Sequence, residues 1–278
     1  MTILITGVRG GVGAGLLHRL HTSGADVRAA SRAPEKTTPP AGVRTVALDL
    51  TDTSTFAPAL AGVTDMFLYA EPAGIEPLLE TAVAAGVRRV VLLSSDSVTL
   101  ENAEHNALAR HHLLVERVLE AAPVTTTVLR PGGFATMTLD WADAVRTGSP
   151  IEQAYPDARL DVVHPEDIVD LARLALTTDK LDDQTVTLGG PEMLSFRDQA
   201  RVLGDLLGRD VELREASHEQ ATGQLSKHIP APLAAGVLDY WAQLPGNRTE
   251  ASRSTHQITG HPGRTFRQWA TENLDLFR

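Results

Sequence analysis

The chain has 278 residues, a formal net charge of −10 and no cysteine. Its length fits one large domain or a domain with an appendage, and 42% apolar against 22% charged residues is enough to bury a sizeable core. The acid excess argues against a nucleic-acid partner held by a cationic surface. The missing thiols exclude disulfides and thiolate metal sites and fit a cytoplasmic setting. No apolar run approaches the length of a membrane span.

The N-terminus, MTILITG, is apolar from its start, with no basic region and no small-residue cleavage site, so no signal peptide is expected. Strands are predicted at Thr2–Thr6, Asp26–Ala30, Val43–Leu48, Asp65–Ala70, Arg89–Ser94 and Thr125–Leu129. Helical stretches lie between them at Gly11–Thr22, near Ser54–Leu60, at Gly74–Ala85 and at Ala103–Ala121. Runs such as ILI at 3–5 and VVLL at 90–93 are apolar at consecutive positions, the pattern of strands buried on both faces of a parallel sheet. Strand–helix alternation of this kind predicts an α/β, doubly wound parallel sheet. Beyond Arg130 the pattern changes: Phe134–Arg146 and Glu166–Thr177 read as helical and Thr185–Leu188 as a further strand. From Ser195 the chain reads as mostly helical, with one strand-like piece at Asp210–Leu213. The expected organisation is a Rossmann domain over 1–150, completed by a strand near 184–190, and a mostly helical substrate lobe over 191–278 with contributions from 134–164.

The first strand runs into Thr6-Gly7-Val8-Arg9-Gly10-Gly11-Val12-Gly13, a G-x-x-G-x-x-G spacing that opens a helix. One glycine allows the tight turn, the next lets backbone approach a pyrophosphate, and the third lets helix pack on strand; the helix start adds free amides and a positive dipole end. The context of strand, loop and helix makes this a dinucleotide site. Strand two ends at Ser31-Arg32, where an NAD enzyme usually has a carboxylate for the ribose hydroxyl. A guanidinium there suits the 2′-phosphate of NADP(H), and Arg9 can add a second positive charge. Asp49 and Leu50, ending strand three, are placed to meet the adenine.

These residues, with FLYAEP at 67–72, VVLLSSDSV at 90–98, HHLLVERVLEAAPVTTTVLRPGGF at 111–134, HPEDIVDLA at 164–172 and TVTLGGPEMLSFRDQA at 185–200, resemble the NmrA-like family of atypical short-chain dehydrogenases across nearly the whole chain. The resemblance implies a Rossmann protein of a family that holds NADPH-dependent quinone reductases, reductases of conjugated carbonyls and non-catalytic redox sensors. It implies that Gly7, Arg9, Gly10, Gly11 and Val12 touch pyrophosphate and that Arg32 meets the 2′-phosphate. It places Tyr69, Ala70 and Pro72 along ribose and nicotinamide, Ser94 and Ser95 beside the nicotinamide ribose, and His112 and Pro131 at the nicotinamide side. Short-chain dehydrogenases carry Tyr-x-x-x-Lys on the helix after strand five; here those positions fall at Leu108 and His112. Met137 stands where relatives often have asparagine.

Without the tyrosine, alcohol oxidation is not expected. A quinone or activated enone remains reducible, because the anion left by hydride addition is weakly basic. His112 is the candidate partial acid, and His111, its neighbour on the helix, is expected on another face. Glu71 and Asp96 follow strands four and five and either contact substrate or cap helices, capping being the first reading for Asp96. Phe134, Met137 and Trp141 form an apolar stripe at i, i+3, i+7 that either packs in the core or borders the substrate. Asp167 is read as structural. No metal-ligand spacing is visible, so no metal is expected. The sequence thus points to an NADPH-dependent oxidoreductase acting on a small molecule as a monomer or homodimer. The alternatives are a non-catalytic NADP-binding redox sensor and a biosynthetic tailoring enzyme of the same fold.

Overall fold

The computed structural model describes residues 1–244, 246 and 254–278. Its strands are β1 (Thr2–Ile5), β2 (Asp26–Ser31), β3 (Arg44–Ala47), β4 (Val63–Tyr69), β5 (Arg89–Leu93), β6 (Thr125–Pro131), β7 (Ile151–Gln153), β8 (Arg159–Asp161), β9 (Gln184–Leu188), β10 (Met193–Ser195) and β11 (Leu213–Glu215). The helices are α1 (Gly11–Thr22), α2 (Phe56–Leu60), α3 (Ile75–Ala85), α4 (Ala107–Glu120), α5 (Ala142–Thr147), α6 (Pro165–Thr177), α7 (Phe196–Leu207), α8 (His218–Leu225), α9 (Ala231–Ala242), α10 (Ser254–Thr259) and α11 (Phe266–Glu272).

The chain divides into two compact units that alternate along the sequence. The first comprises Met1–Ser95, His111–Arg130 and Ile168–Val186; the second comprises Asp96–Arg110, Pro131–Asp167 and Thr187–Arg278. A seven-stranded sheet runs in the order β3-β2-β1-β4-β5-β6-β9, parallel from β3 through β6. This is the doubly wound Rossmann order, reversing direction between β1 and β4, where such sheets bind ligands at their carboxyl edge. Ile3, Leu4 and Ile5 are all fully buried, as expected of a strand covered on both faces. Helix α1 sends Leu16, Leu17 and Leu20 into the core, and α3 sends Leu78, Leu79 and Ala82.

The second unit has a core of its own, built on Trp141, Phe196, Trp241, Phe266, Trp269 and Phe277. Its strands form two small ladders, β10 with β8 antiparallel and β11 with β7 parallel. Helices α7, α8 and α11 each begin with a capping box, at Ser195/Asp198, Ser217/Gln220 and Thr265/Gln268, which satisfies amides at both sides of the helix start. Asp167 is almost fully buried and accepts from the backbone and guanidinium of Arg264, a structural tie between the start of α6 and the C-terminal segment.

Several boundaries differ from the sequence expectation. Helix α4 starts at Ala107, after a separate 3-10 turn over Ala103–His105, because Asn106 breaks the run and caps the helix by accepting from the Ala109 amide. The stretch 134–146 is a 3-10 segment over Ala135–Trp141 followed by the short α5. The strand expected at Asp210–Leu213 lies at Leu213–Glu215, and β7, β8 and β10 had no counterpart in the sequence reading. Each of these strands is three residues long, too short to show a period of two.

Candidate active site

A cavity of about 520 Å³ opens at the carboxyl ends of β1, β2, β3 and β4. It brings together Gly7, Arg9, Gly10, Ser31, Arg32, Asp49, Leu50, Tyr69 and Glu71, nine of the residues singled out in the sequence. The glycines divide the work. Gly7 has φ +65°, and a Cβ there would lie 2.3 Å from the Tyr69 ring. A Cβ on Gly13 would lie 2.4 Å from the Gly7 carbonyl oxygen, so this glycine lets α1 pack onto β1. A Cβ on Gly10 would meet nothing closer than 3.4 Å, and one on Gly11 nothing within 4 Å. Protein packing therefore requires glycine at 7 and 13, while the space over 10 and 11 is open. Gly10 caps α1 without a side-chain acceptor, and the first turn holds no acid. The amides of the helix start and its dipole thus stand ready for an anion. A pyrophosphate fits this loop.

Tyr69 lies beneath the loop. Burial pushes its phenol pKa above the usual tyrosine value, against a smaller opposing effect of the Gly13 amide donating to its oxygen. Its backbone amide donates to Thr6 Oγ1 at 2.9 Å, which pins the end of β4 to the end of β1. Ser31 accepts from the Ala33 amide at 3.1 Å, so its hydroxyl hydrogen remains available to a phosphate oxygen. Arg9 and Arg32 are exposed and, among the described residues, neither guanidinium is in an ion pair. Lys36, which the sequence reading passed over, shares an adjoining groove with Arg9 and His18. Its signal was its rarity: it is the first of only three lysines and stands four residues past Arg32. Asp49 uses Oδ1 to accept from the amide and hydroxyl of Thr51 at 3.0 and 2.8 Å. Those two bonds, the amide first, hold its carboxyl below the usual aspartate pKa, with Arg32 adding to the effect.

Gly11, Val12, Ala70, Pro72, Ser94, Ser95 and His112 lie outside this cavity's lining. Ser94 is buried and its hydroxyl donates to Glu116 Oε1, a contact the sequence reading missed. Glu116 on α4 also receives a two-point bond from Arg130 on β6, 3.0 Å to Oε1 and 2.5 Å to Oε2. This part-buried triad ties β5, β6 and α4 together. Glu71 accepts from the Ala73 amide at 3.1 Å, capping its own turn. The rings of His111 and His112 lie 5.3 Å apart, edge to face. Adjacent helix positions are about 100° apart, and side chains of this length lean across that gap. His111 is bonded to the sheet edge, its Nε2 donating to the Ala70 carbonyl at 3.0 Å.

Asp96, Pro131, Phe134, Met137 and Trp141 belong to the second unit. Asp96 accepts from the Tyr240 hydroxyl at 2.8 Å and opens a 3-10 turn. Met137 and Trp141 line a second cavity, of about 570 Å³, whose lining does not include Phe134.

A glycine loop on a doubly wound sheet, with open space over its middle glycines and cations at the tip of β2, defines a dinucleotide-binding protein. The profile of the NAD(P)H-binding family matches residues 7–158, and the chain belongs to that family, as an NAD(P)H-dependent reductase. It is 32% identical to (4-alkanoyl-5-oxo-2,5-dihydrofuran-3-yl)methyl phosphate reductase of Streptomyces griseus over 99% of both chains. It is 26% identical to the NAD(P)H azoreductase of Xenophilus azovorans, also over 99% of both. Its fold is similar to that of an NADPH-dependent quinone oxidoreductase of Escherichia coli solved with NADPH, with a TM-score of 0.81, 20% identity and coverage of 99% and 100% of the two chains. No helix among the described residues is long and apolar enough to cross a membrane.

Proposed function

We propose that the protein uses NADPH in preference to NADH to reduce a quinone or another electron-poor carbonyl or enone. The observation that carries this reading is α4, where Leu108 and His112 occupy the positions of the proton-donating tyrosine and lysine of short-chain dehydrogenases. An alkoxide needs such an acid; a hydroquinone or enolate anion does not. When bound, the cofactor supplies a hydride. The chain's own groups hold it: the Gly10–Val12 backbone takes the pyrophosphate, while Ser31, Arg32, Arg9 and Lys36 take the 2′-phosphate. The anion left on the acceptor after hydride addition takes its proton from water or from His112. NADPH, acceptor and one proton thus give NADP⁺ and the reduced acceptor.

The name of the Streptomyces griseus relative supports the acceptor class, since an oxo-dihydrofuran bearing an alkanoyl group is an electron-poor, carbonyl-conjugated ring. The same name favours a biosynthetic tailoring reductase over a detoxifying one. NADPH consumption against a panel of quinones, unsaturated lactones and secondary alcohols with NADP⁺ tests the reading. Turnover of the first two classes without the third is expected; NADP⁺-dependent oxidation of an unactivated alcohol overturns it. In the same assay His112→Ala separates its two possible parts. Loss of roughly 10²-fold or more in rate marks an acid, whereas a raised NADPH dissociation constant with rate preserved marks an orienting side chain.

A further inference from the structure

One cluster inside the second unit carries chemistry that hydride transfer does not use. The Tyr155 hydroxyl and His218 Nδ1 lie 2.9 Å apart, and Asp239 Oδ1 lies 3.9 Å from His218 Nε2. Three elements bring them together. Tyr155 stands in the turn between β7 and β8, His218 is the first residue of α8, and Asp239 is on α9, which packs against α8. The capping box at Ser217/Gln220 fixes the backbone just before His218, and the Tyr155 and His218 rings meet edge to face with centroids 6.1 Å apart. Tyr155 is held there against its backbone preference. Its φ is +51°, and among the described residues only Asp183 is another non-glycine with a positive φ. It also precedes Pro156, which favours extended backbone at the residue before it. Two hydrogen bonds keep the turn: the Ala158 amide donates to the Tyr155 carbonyl at 2.9 Å, and the Arg197 amide to the Pro156 carbonyl at 3.2 Å. Strain of this kind persists where the surroundings over-determine it, and it gathers at functional positions.

The carboxylate sets the direction of the hydroxyl–imidazole bond. Asp239 beside Nε2 favours the tautomer with its hydrogen on Nε2, which leaves Nδ1 as the acceptor for the phenol O–H. At 3.9 Å the carboxylate is beyond a hydrogen bond and within ion-pair reach once the ring is charged. A hydroxyl on a base, with a third group behind the base, is the arrangement of an activated nucleophile. The cluster also faces solvent: the side chains of His218 and Asp239 are 41% and 58% exposed and Tyr155 is half-buried, so a dissolved electrophile has access. The other two tyrosines differ, since Tyr69 lies beneath the glycine loop and Tyr240 is buried and donates to Asp96.

We propose that Tyr155 is a nucleophilic modification site that accepts an acyl group from an activated ester. The phenol oxygen bonds to the acyl carbon while His218 Nδ1 takes the O–H proton and Asp239 stabilises the imidazolium. The bond from the acyl carbon to the leaving group then breaks, and the leaving group departs with its electron pair and receives that proton from His218. The products are an acyl ester on Tyr155, the protonated leaving group and a neutral histidine. All three residues belong to the second unit and the step needs no cofactor, so it stands or falls independently of the reductase reading.

The test is acetylation of the full chain by p-nitrophenyl acetate without NADPH. A burst of nitrophenol stoichiometric with the chain is expected, and peptide mass spectrometry is expected to find the acetyl group on Tyr155. Tyr155→Phe is expected to remove the burst. His218→Gln keeps an acceptor for the phenol but no base, and is expected to slow the burst by about 10²-fold or more. Asp239→Asn is expected to slow it by about two- to fivefold, the worth of an exposed ion pair, and Asp239→Glu to restore it. Circular dichroism of each variant separates lost chemistry from lost fold, and the label on the wild-type chain is read without any variant. Acetyl groups on Lys36, Lys180, Lys227 or the N-terminus with Tyr155 unlabelled overturn the proposal. So does labelling of Tyr155 at an unchanged rate in His218→Gln, which marks a phenol that is accessible and not activated.

Discussion

Two of the cavities among the described residues are similar in volume and built in opposite ways. The one in the first unit is made of backbone: glycines, open amides and the tips of parallel strands, with cations at its edge. The one in the second unit is made of side chains, aliphatic ones around three aromatic rings, with charges confined to exposed positions. A backbone site tolerates few changes, because its shape is that of the fold. A side-chain site can be re-cut one residue at a time without disturbing any strand or helix. The two therefore answer differently to mutation.

The largest effect is expected at Gly10. Gly10→Val fills space that no protein atom needs, so NADPH binding by calorimetry is expected to fall below detection while the thermal midpoint barely moves. Gly13→Ala is the converse, since its methyl would strike the Gly7 carbonyl; a stability loss of roughly 2 kcal/mol in urea unfolding is expected. If the two variants behave alike, the division of labour among the glycines is wrong. Glu116→Gln leaves Arg130 facing a neutral amide and is expected to cost about 3 kcal/mol of stability. An undiminished urea midpoint would show that the triad does not hold β5, β6 and α4 together.

Arg32→Ala is expected to weaken NADPH binding by about 1.5–3 kcal/mol and leave NADH binding unchanged. Equal affinity of the wild type for the two cofactors would remove the basis for that expectation. The smallest effect concerns Tyr69. Its pKa is raised in the folded state by burial, so the protonated phenol is favoured by folding. The stability this contributes is complete below the unfolded value near 10 and is lost as pH rises through the higher folded value. Tyr69→Phe is expected to flatten the alkaline limb of a stability-versus-pH curve. A limb as steep as that of the wild type would point to another group.

The difference between the cavities also explains what could be read from the sequence. Strands such as Ile3–Ile5 announce themselves because burial on both faces leaves an unbroken apolar run, and a glycine loop is legible because backbone chemistry leaves its mark as spacing. The place of Lys36 in the groove beside Arg9 is not legible in the sequence, because no spacing rule links a loop lysine to a strand tip. Ser94 was expected at a ribose, while its hydroxyl goes to Glu116, a partner twenty-two positions away that only packing brings near. Likewise, periodicity alone could not decide which histidine of the 111–112 pair reaches the Ala70 carbonyl. The Phe134, Met137, Trp141 stripe was read as one face, but a 3-10 segment, with three residues per turn, distributes the same spacing differently, and only the latter two line the cavity.

The interleaving of the two units has a consequence for how the protein is made. The chain passes from one unit to the other at residues 95/96, 110/111, 130/131, 167/168 and 186/187. As it leaves the ribosome, the first unit is complete only when Val186 has emerged, by which time two segments of the second unit are already outside with their aromatic partners still unsynthesised. Trp141 must wait for Phe196 and Trp241. A nascent chain of this design exposes an apolar surface for about a hundred residues of translation, the span over which it is most open to chaperones and to protease cleavage.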